Sequence, residues 1–266
     1  MATVVCFHAH PDDEAIATGG TLARAVREGH RVVLVVATGG EHGDVPADLA
    51  PGETLADRRR KETEASCEVL GVQHLEWLGY EDSGMTGWDQ NSHAGAFMNA
   101  DLDEAAGRLA AIIEKYAATV LTTYDWHGNY GHPDHIMVNK VGYRAAALAG
   151  VTDIYEATMN RDAMRRLQAM AVETGLVSKE DAWDVDGPAD DGNPMGLPES
   201  ELTHRVDVSE FVDLKRKAIM QHASQMGDTS FLTRMPEEAF AIAFGAEWFR
   251  KAGDSAPLRD GWLFAS

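Results

Sequence analysis

The stretch CFHAHPDDEAIATGG, residues 6–20, decides the fold because it joins an apolar run directly to a helical pattern. The apolar run stops at a histidine, a proline and three consecutive acids, Asp12, Asp13 and Glu14. Neighbouring carboxylates repel one another, so this pattern indicates either a solvated helix N-terminus or acids that surround a cation. The rest of the sequence has to distinguish these two interpretations.

The composition narrows the class of partner. The chain has 266 residues, 44% of them hydrophobic, and we expect one domain over residues 1–266. Lys and Arg number 23 against 43 Asp and Glu, a formal net charge of -20 that disfavours nucleic acid and anionic membranes as partners. A small-molecule substrate fits this charge, and a homo-oligomer stays open. Because we find neither a basic leader nor a run of ~18 apolar residues, we expect a cytoplasmic protein.

Short apolar runs alternate with amphipathic segments, which is typical of an α/β, Rossmann-like fold with a mostly parallel sheet flanked by helices. The pattern predicts strands at 3–7, 31–38, 74–79, 119–124 and 153–159, and helices at 14–28, 54–70, 101–116 and 134–149. Beyond residue 160 the pattern is weaker. It predicts a short strand at 205–211, helices at 210–226 and 236–250, and an acidic Gly- and Pro-rich loop or lid at about 173–203.

Two similar motifs follow two different strands. HPDD (10–13) comes after the first predicted strand, and HPDH (132–135) comes after the fourth. In the common strand order of doubly wound folds these strands are neighbours, and ligands bind beyond their carboxyl ends. We therefore expect the site at the carboxyl ends of strands 1 and 4, where two imidazoles and one carboxylate can hold a divalent metal. The spacing alone does not distinguish Asp12 from Asp13 as the ligand.

Two histidines and one carboxylate leave open positions for water and substrate, as in catalytic zinc sites. The same ligands also occur in non-haem iron oxygenases, so Fe²⁺ is the alternative to Zn²⁺. Those enzymes use an all-β scaffold in their familiar form, whereas this chain has an α/β pattern. The sequence therefore favours hydrolysis assisted by zinc.

The motifs AHPDDE (9–14) and HPDH (132–135) together resemble those of the PIG-L/LmbE-like zinc-dependent N-deacetylase family. The resemblance covers about residues 1–160. Within the family it is closest to the mycothiol-pathway GlcNAc-inositol deacetylase and conjugate amidase, through RRRKETEASCEVLGV and GYEDSGM. It implies metal binding by His10, Asp13 and His135, catalysis by Asp12, His132, Asp134 and Tyr130, and sugar binding by Arg59 and Asp82.

The resemblance also implies how these residues act. Asp12 would be the general base, a cationic His132 would stabilise the oxyanion, and Asp134 would hold His132 in its orientation. The implied reaction hydrolyses the N-acetyl amide of an N-acetylglucosamine-type substrate. An amidase for mycothiol conjugates or other secondary-metabolite amides is the alternative enzyme, and a metal-containing binding protein without turnover is the alternative from another class.

Overall fold

The computed structural model describes residues 1–175, 177–180, 182–227 and 230–264. Its strands are β1 (Thr3–His8), β2 (Arg31–Thr38), β3 (His74–Tyr80), β4 (Val120–Tyr124), β5 (Asp153–Thr158), β6 (His204–Asp207), β7 (Ala246–Lys251) and β8 (Arg259–Asp260). They form one sheet in the order β3-β2-β1-β4-β5-β7-β6-β8. The five strands predicted from the first 160 residues are thus present, with ends that differ by one residue at most.

The first five strands of the sheet are parallel, and β1 lies between β2 and β4. Cys6 in β1 is opposite Leu34 in β2 and Thr122 in β4. These strands are nearly continuous apolar runs because helices cover both faces of a parallel sheet. The predicted α/β fold is confirmed, including the contact between the first and fourth strands.

The helices begin and end close to the predicted residues in the first 160 positions. Thr54 and Asp57 form a reciprocal capping box at the start of the second helix, and Pro133 takes the first position of the fifth. The helices are α1 (Asp13–Arg27), α2 (Leu55–Leu70), α3 (Leu102–Lys115), α4 (Gly128–Gly131), α5 (Pro133–Ala149), α6 (Arg161–Glu173), α7 (Val212–Ile219), α8 (Phe231–Arg234) and α9 (Glu237–Phe244).

The prediction of a last helix at 236–250 is wrong in its second half. The helix α9 ends at Phe244, and β7 follows after Gly245. Glu247 and Phe249 are buried, which is the two-residue period of a strand. β7 pairs antiparallel with β5 and with β6, so the sheet is mixed on this side.

The predicted helix at 210–226 is also too long. α7 covers only Val212–Ile219. Beyond its end, His222 Nε2 lies 2.7 Å from Glu14 Oε1, and Ser224 donates two hydrogen bonds to the Glu62 carboxylate. These side-chain contacts with α1 and α2 stabilise a turn in place of further helix.

A buried ion pair connects the C-terminal strands to α1. Lys215 Nζ lies 2.6 Å from Glu247 Oε1, and each side chain is 2% exposed. The same carboxylate accepts hydrogen bonds from the backbone N–H groups of Gly20 and Thr21, both at 2.8 Å. Gly20 permits this close packing, because a Cβ there would lie 2.5 Å from Val208 Cβ.

The predicted loop at about 173–203 contains the end of α6 and a short 3-10 turn at Glu199–Glu201, within the part of it that the structure describes. It lies against the loop after β4: Asp190 N donates to Tyr130 O at 2.9 Å, and Gly196 N donates to Asn129 O. The helices in the described residues are all too short or too polar to cross a membrane.

Candidate metal and catalytic site

The carboxyl ends of β1 and β4 bring the two sequence motifs into contact. His10 follows β1 by two residues, Asp13 is the first residue of α1, and His135 lies in the first turn of α5. His10 and His135 are 7% and 2% exposed. Residues more than a hundred positions apart therefore lie together in one buried cluster.

Three ligand-type atoms face one another at this point, and we call them the donor triangle: His10 Nδ1, Asp13 Oδ2 and His135 Nε2. Asp13 Oδ2 lies 3.5 Å from His10 Nδ1 and 3.4 Å from His135 Nε2. The two imidazole nitrogens are 3.3 Å apart. Ligand atoms about 2.0–2.1 Å from a tetrahedral zinc are about 3.3 Å from one another, so the donor triangle fits such an ion.

The other nitrogen of His10 is held by a carboxylate. His10 Nε2 lies 3.1 Å from Asp134 Oδ2 and 3.5 Å from Asp82 Oδ1. Asp134 is in turn fixed by Ser83, whose backbone N–H donates to Asp134 Oδ2 at 2.9 Å and whose hydroxyl donates to Oδ1. A proton on His10 Nε2 leaves a lone pair on Nδ1, which is the orientation that a metal-binding histidine requires.

Asp12 lies beside the donor triangle with a strained backbone. Its φ is 90°, an unfavourable value for a residue with a side chain. Its N–H donates to Glu14 Oε2 at 3.0 Å, and its Oδ2 accepts from Arg59 Nη2 at 3.2 Å. Burial raises the pKa of Asp12 to about 6, although the Arg59 guanidinium acts in the opposite direction.

His132 is hydrogen-bonded to the backbone of Asp134 and not to its carboxylate. The Asp134 N–H donates to His132 Nδ1 at 3.1 Å, whereas the carboxylate contacts His10 and Ser83. Asp134 thus contacts His132 through its backbone N–H, and its role in orienting His132 stays a prediction. Because Nδ1 accepts this bond, the neutral ring carries its proton on Nε2. Burial, and then His10 and His135, lower the pKa of His132 to about 2.

Tyr130 completes one side of the site. Its hydroxyl lies 3.4 Å from His135 Nε2, and burial raises the pKa of Tyr130 above its usual range, which keeps the hydroxyl protonated. Gly131 follows with φ 88°, where a Cβ would lie 2.4 Å from Asp191 N. The loop after β4 is thus packed between the site and the acidic segment.

A cavity of about 200 Å³ opens over these residues. Asp134 and His135 are 0% and 2% exposed and lie behind the residues that line the cavity. The lining consists of His10, Asp12, Asp13, His42, Gly43, Arg59, Asp82, Gly84, Met85, Trp88, Tyr130 and His132.

Comparison with known proteins agrees with this geometry. The sequence profile of the PIG-L family, GlcNAc-PI de-N-acetylase, matches residues 5–146. A 1D-myo-inositol 2-acetamido-2-deoxy-alpha-D-glucopyranoside deacetylase of Nocardioides sp. is 36% identical over 283 residues, which cover 94% of this chain and 91% of that protein. The chain belongs to the PIG-L family. The resemblance carried by AHPDDE and HPDH is confirmed.

Solved structures share the PIG-L fold of this chain. N,N'-diacetylchitobiose deacetylase from Pyrococcus horikoshii matches with a TM-score of 0.57 and 24% identity, over 94% of this chain and 83% of that chain. GalB, the 4-carboxy-2-hydroxymuconate hydratase of Pseudomonas putida KT2440, matches with a TM-score of 0.59 and 15% identity, over 96% of this chain and 97% of that chain. A hydratase and a deacetylase have this fold, so the reaction must be argued from the site.

The two expected sugar-binding residues of this PIG-L protein line the cavity and also contact the protein. Arg59 donates to Gly40 O at 2.9 Å and Pro11 O at 2.6 Å, in addition to Asp12. Asp82 accepts from His42 N at 3.2 Å and from Gly84 N at 2.8 Å. Arg59 therefore holds the loop that carries Asp12, whatever it contributes to the substrate.

Sequence reasoning missed Ser83, which fixes Asp134 and through it His10. Its contacts join a loop after β3 to the start of α5, and Ser83 and Asp134 are 51 positions apart in the sequence. No residue pattern within either segment indicates this contact. The only signal is that Ser83 lies inside GYEDSGM, one of the stretches that carry the family resemblance.

Asp134→Asn is expected to weaken binding of the ion by about 10-fold to 100-fold, because residues that orient a metal-binding histidine typically contribute this much. The measurement is zinc affinity by competition with a chromophoric chelator. Asp103→Asn is the matched control, since Asp103 is paired with Arg144 on the exposed face of α3. Equal affinities in the two variants would contradict the orienting contact.

Proposed function

We propose that this PIG-L protein is a zinc-dependent deacetylase that hydrolyses the N-acetyl amide of a GlcNAc-inositol-type substrate. The products are acetate and a free amine. The observation that carries the proposal is that His10 and Asp13 of the donor triangle line the same cavity as Asp12, a carboxylate that is outside the triangle and held by Arg59. A site that only binds a metal requires no such second carboxylate.

His10, Asp13 and His135 are the residues that would hold the ion. Asp13 is preferred over Asp12 because Asp13 Oδ2 faces both imidazoles, whereas Asp12 Oδ2 contacts Arg59. When bound, zinc polarises a carbonyl and lowers the pKa of a bound water towards ~7. The alternative ion, Fe²⁺, is compatible with the same ligands.

Asp12 is the group that takes the proton of the attacking water. Burial brings the pKa of Asp12 to about 6, against the effect of Arg59, so the carboxylate is close in basicity to what proton transfer near neutral pH requires. The protonated Asp12 can then give this proton to the departing amine. Arg59 keeps the carboxylate in place during both steps.

His132 and Tyr130 are the donors for the oxyanion. A neutral His132 with its proton on Nε2 replaces the cationic form expected from the resemblance, because Nδ1 is occupied by the Asp134 N–H. The Tyr130 hydroxyl is a second donor near His135. Donors fixed before the reaction need no reorganisation when charge develops, and each is typically worth about 2.7–4 kcal/mol in the barrier.

The substrate class is supported by the relatives and by the cavity. The matched relatives are named as deacetylases of an acetamido glucopyranoside of inositol. Asp82 uses two oxygens for backbone N–H groups, and a carboxylate has further lone pairs for sugar hydroxyls. The cavity presents these lone pairs next to the donor triangle, where the acetamido group of such a sugar would lie.

The test is amide hydrolysis, followed as release of the free amine, with three substrates: GlcNAc-inositol, N,N'-diacetylchitobiose and a mycothiol-type thiol-conjugate amide. We expect the highest kcat/KM on GlcNAc-inositol. Preference for the conjugate amide would support the alternative amidase, and bound metal without cleavage of any amide would support a binding protein. Emission spectroscopy of the purified protein identifies the ion, and predominant iron would contradict the choice of zinc.

Arg59→Lys is expected to lower kcat by about 10-fold to 100-fold with a much smaller change in KM. One ammonium group cannot contact all three oxygen atoms to which Arg59 donates, so the Asp12 carboxylate would move from its position. Steady-state kinetics on GlcNAc-inositol measure both constants. Arg60→Lys is the matched control, because Arg60 lies on the same helix over the Trp77 ring. A rise in KM at constant kcat would instead support sugar binding by Arg59.

A further inference from the structure

The rim of the cavity carries a tryptophan that the reaction described above does not use. Trp88 lines the cavity together with Met85, yet its side chain is 47% exposed. Trp126 and Trp183 are exposed to a similar extent, but Trp88 is the exposed tryptophan that lines this cavity, and aromatic side chains are common contacts for ligands in such clefts. Its position next to the catalytic cavity points to a ligand that extends beyond that cavity.

Trp88 is held in one place by the loop that precedes it. Its ring lies directly over Gly84, where a Cβ would be 2.7 Å from Trp88 Cε3. The backbone N–H of Trp88 donates to Met85 O at 3.1 Å, and the backbone oxygen of Trp88 accepts from Asn91 N at 3.0 Å. The backbone bonds and the contact with Gly84 restrict the ring, which lowers the entropy cost of ordering this side chain on binding.

Asn91 fixes the shape of this loop. Its amide nitrogen donates to Ser83 O at 2.7 Å and Met85 O at 3.2 Å, and its carbonyl oxygen accepts from Gly87 N at 2.7 Å. Ser83 in turn bonds to Asp134, which contacts His10. A continuous set of hydrogen bonds thus fixes the position of Trp88 relative to the donor triangle.

The volume of the cavity indicates what lies against Trp88. About 200 Å³ is below the roughly 300–1,000 Å³ of pockets that enclose drug-sized ligands. If the acetamido sugar occupies the cavity with its amide at the donor triangle, the ring attached to that sugar must lie at the rim. The C–H face of a polyhydroxylated six-membered ring is apolar and flat, and it matches an indole face, while its hydroxyls stay in water.

We propose that Trp88 forms a subsite for the aglycone ring, a cyclitol or second pyranose, and thereby determines preference for disaccharide-like substrates. This inference rests on the proposed function and names a specificity residue for it. Trp88 contributes to substrate binding and not to the chemical step, so its loss affects KM more than kcat.

The experiment compares two substrates that differ only in the aglycone: GlcNAc-inositol and the methyl glycoside of the same α-linked N-acetylglucosamine. Trp88→Ala is expected to raise KM for GlcNAc-inositol by about threefold to tenfold, and to leave KM for the methyl glycoside unchanged. Trp88→Phe should bring KM for GlcNAc-inositol most of the way back to the wild-type value, because an aromatic face is retained. Trp183→Ala is the matched control, because Trp183 is also 47% exposed but lines a separate cavity beside α6.

The outcomes separate this inference from the proposed function. Equal KM changes on both substrates, or none on either, would overturn the subsite while leaving deacetylation intact. If the wild-type protein releases acetate from neither substrate, the proposed function fails and the subsite with it. Quenching of tryptophan fluorescence by GlcNAc-inositol in wild type, absent in Trp88→Phe but present in Trp183→Phe, is the expected direct readout of contact.

Discussion

Asp12→Asn is expected to lower kcat by about 100-fold to 10,000-fold, the contribution typical of a positioned general base. The amide cannot accept the water proton, but it has nearly the shape of the carboxylate. Asparagine is also one of the residues that tolerate positive φ, so the backbone at φ 90° can be retained. Deacetylation of GlcNAc-inositol under saturating substrate is the measurement.

Asp13→Asn is the informative comparison for this variant. Asp13 Oδ2 faces both His10 Nδ1 and His135 Nε2, so its loss should reduce the amount of bound zinc. Asp12→Asn should keep its zinc, because Asp12 lies outside the donor triangle. Emission spectroscopy on both proteins distinguishes the neighbouring acids. Loss of zinc in Asp12→Asn together with retention in Asp13→Asn would reverse the assignment.

Lys215→Met is expected to lower the free energy of unfolding by about 3–5 kcal/mol, because it leaves the Glu247 carboxylate buried without its cation. Each side chain of the pair is 2% exposed, so water cannot replace the ammonium. The backbone N–H groups of Gly20 and Thr21 still contact the carboxylate, but they carry no full charge. Urea unfolding followed by circular dichroism is the measurement.

Lys217→Met is the matched control, since Lys217 lies on the same helix with its side chain exposed. Exposed charges contribute about 0–1 kcal/mol, so this variant should unfold near the wild-type midpoint. The double variant Lys215→Met with Glu247→Gln should recover part of the lost stability, because it removes the unpaired charge. Equal unfolding midpoints for Lys215→Met and Lys217→Met would show that the buried pair contributes nothing.

The N-terminal part of the fold could be predicted because local patterns there agree with the tertiary structure. β1 and β2 are apolar runs in a parallel sheet, and α2 has its own capping box at Thr54. The C-terminal part has weaker local signals. The apolar residues of 237–249 fit a helix as well as a strand, and only pairing with β5 and β6 makes 246–251 a strand.

The proximity of His10 and His135 could be predicted for a similar reason, since each lies in a short motif just after a strand. Their surroundings could not. The contact of Asp134 with His10 joins residues that are 124 positions apart in the sequence. The neutral state of His132 depends on a hydrogen bond from the backbone N–H of Asp134. A sequence names the residue types near a site but not which atom of each residue faces which neighbour.

The bond from Gly20 to Glu247 spans 227 positions, and it has a consequence for biosynthesis. The helix that begins with Asp13 emerges from the ribosome long before its carboxylate anchor, which lies in β7. Because translation proceeds from the N-terminus, this helix lacks its anchor until the 227 positions that separate Gly20 from Glu247 have been translated. A fragment ending at residue 146, where the family profile ends, would hold both ligand motifs but never acquire that anchor.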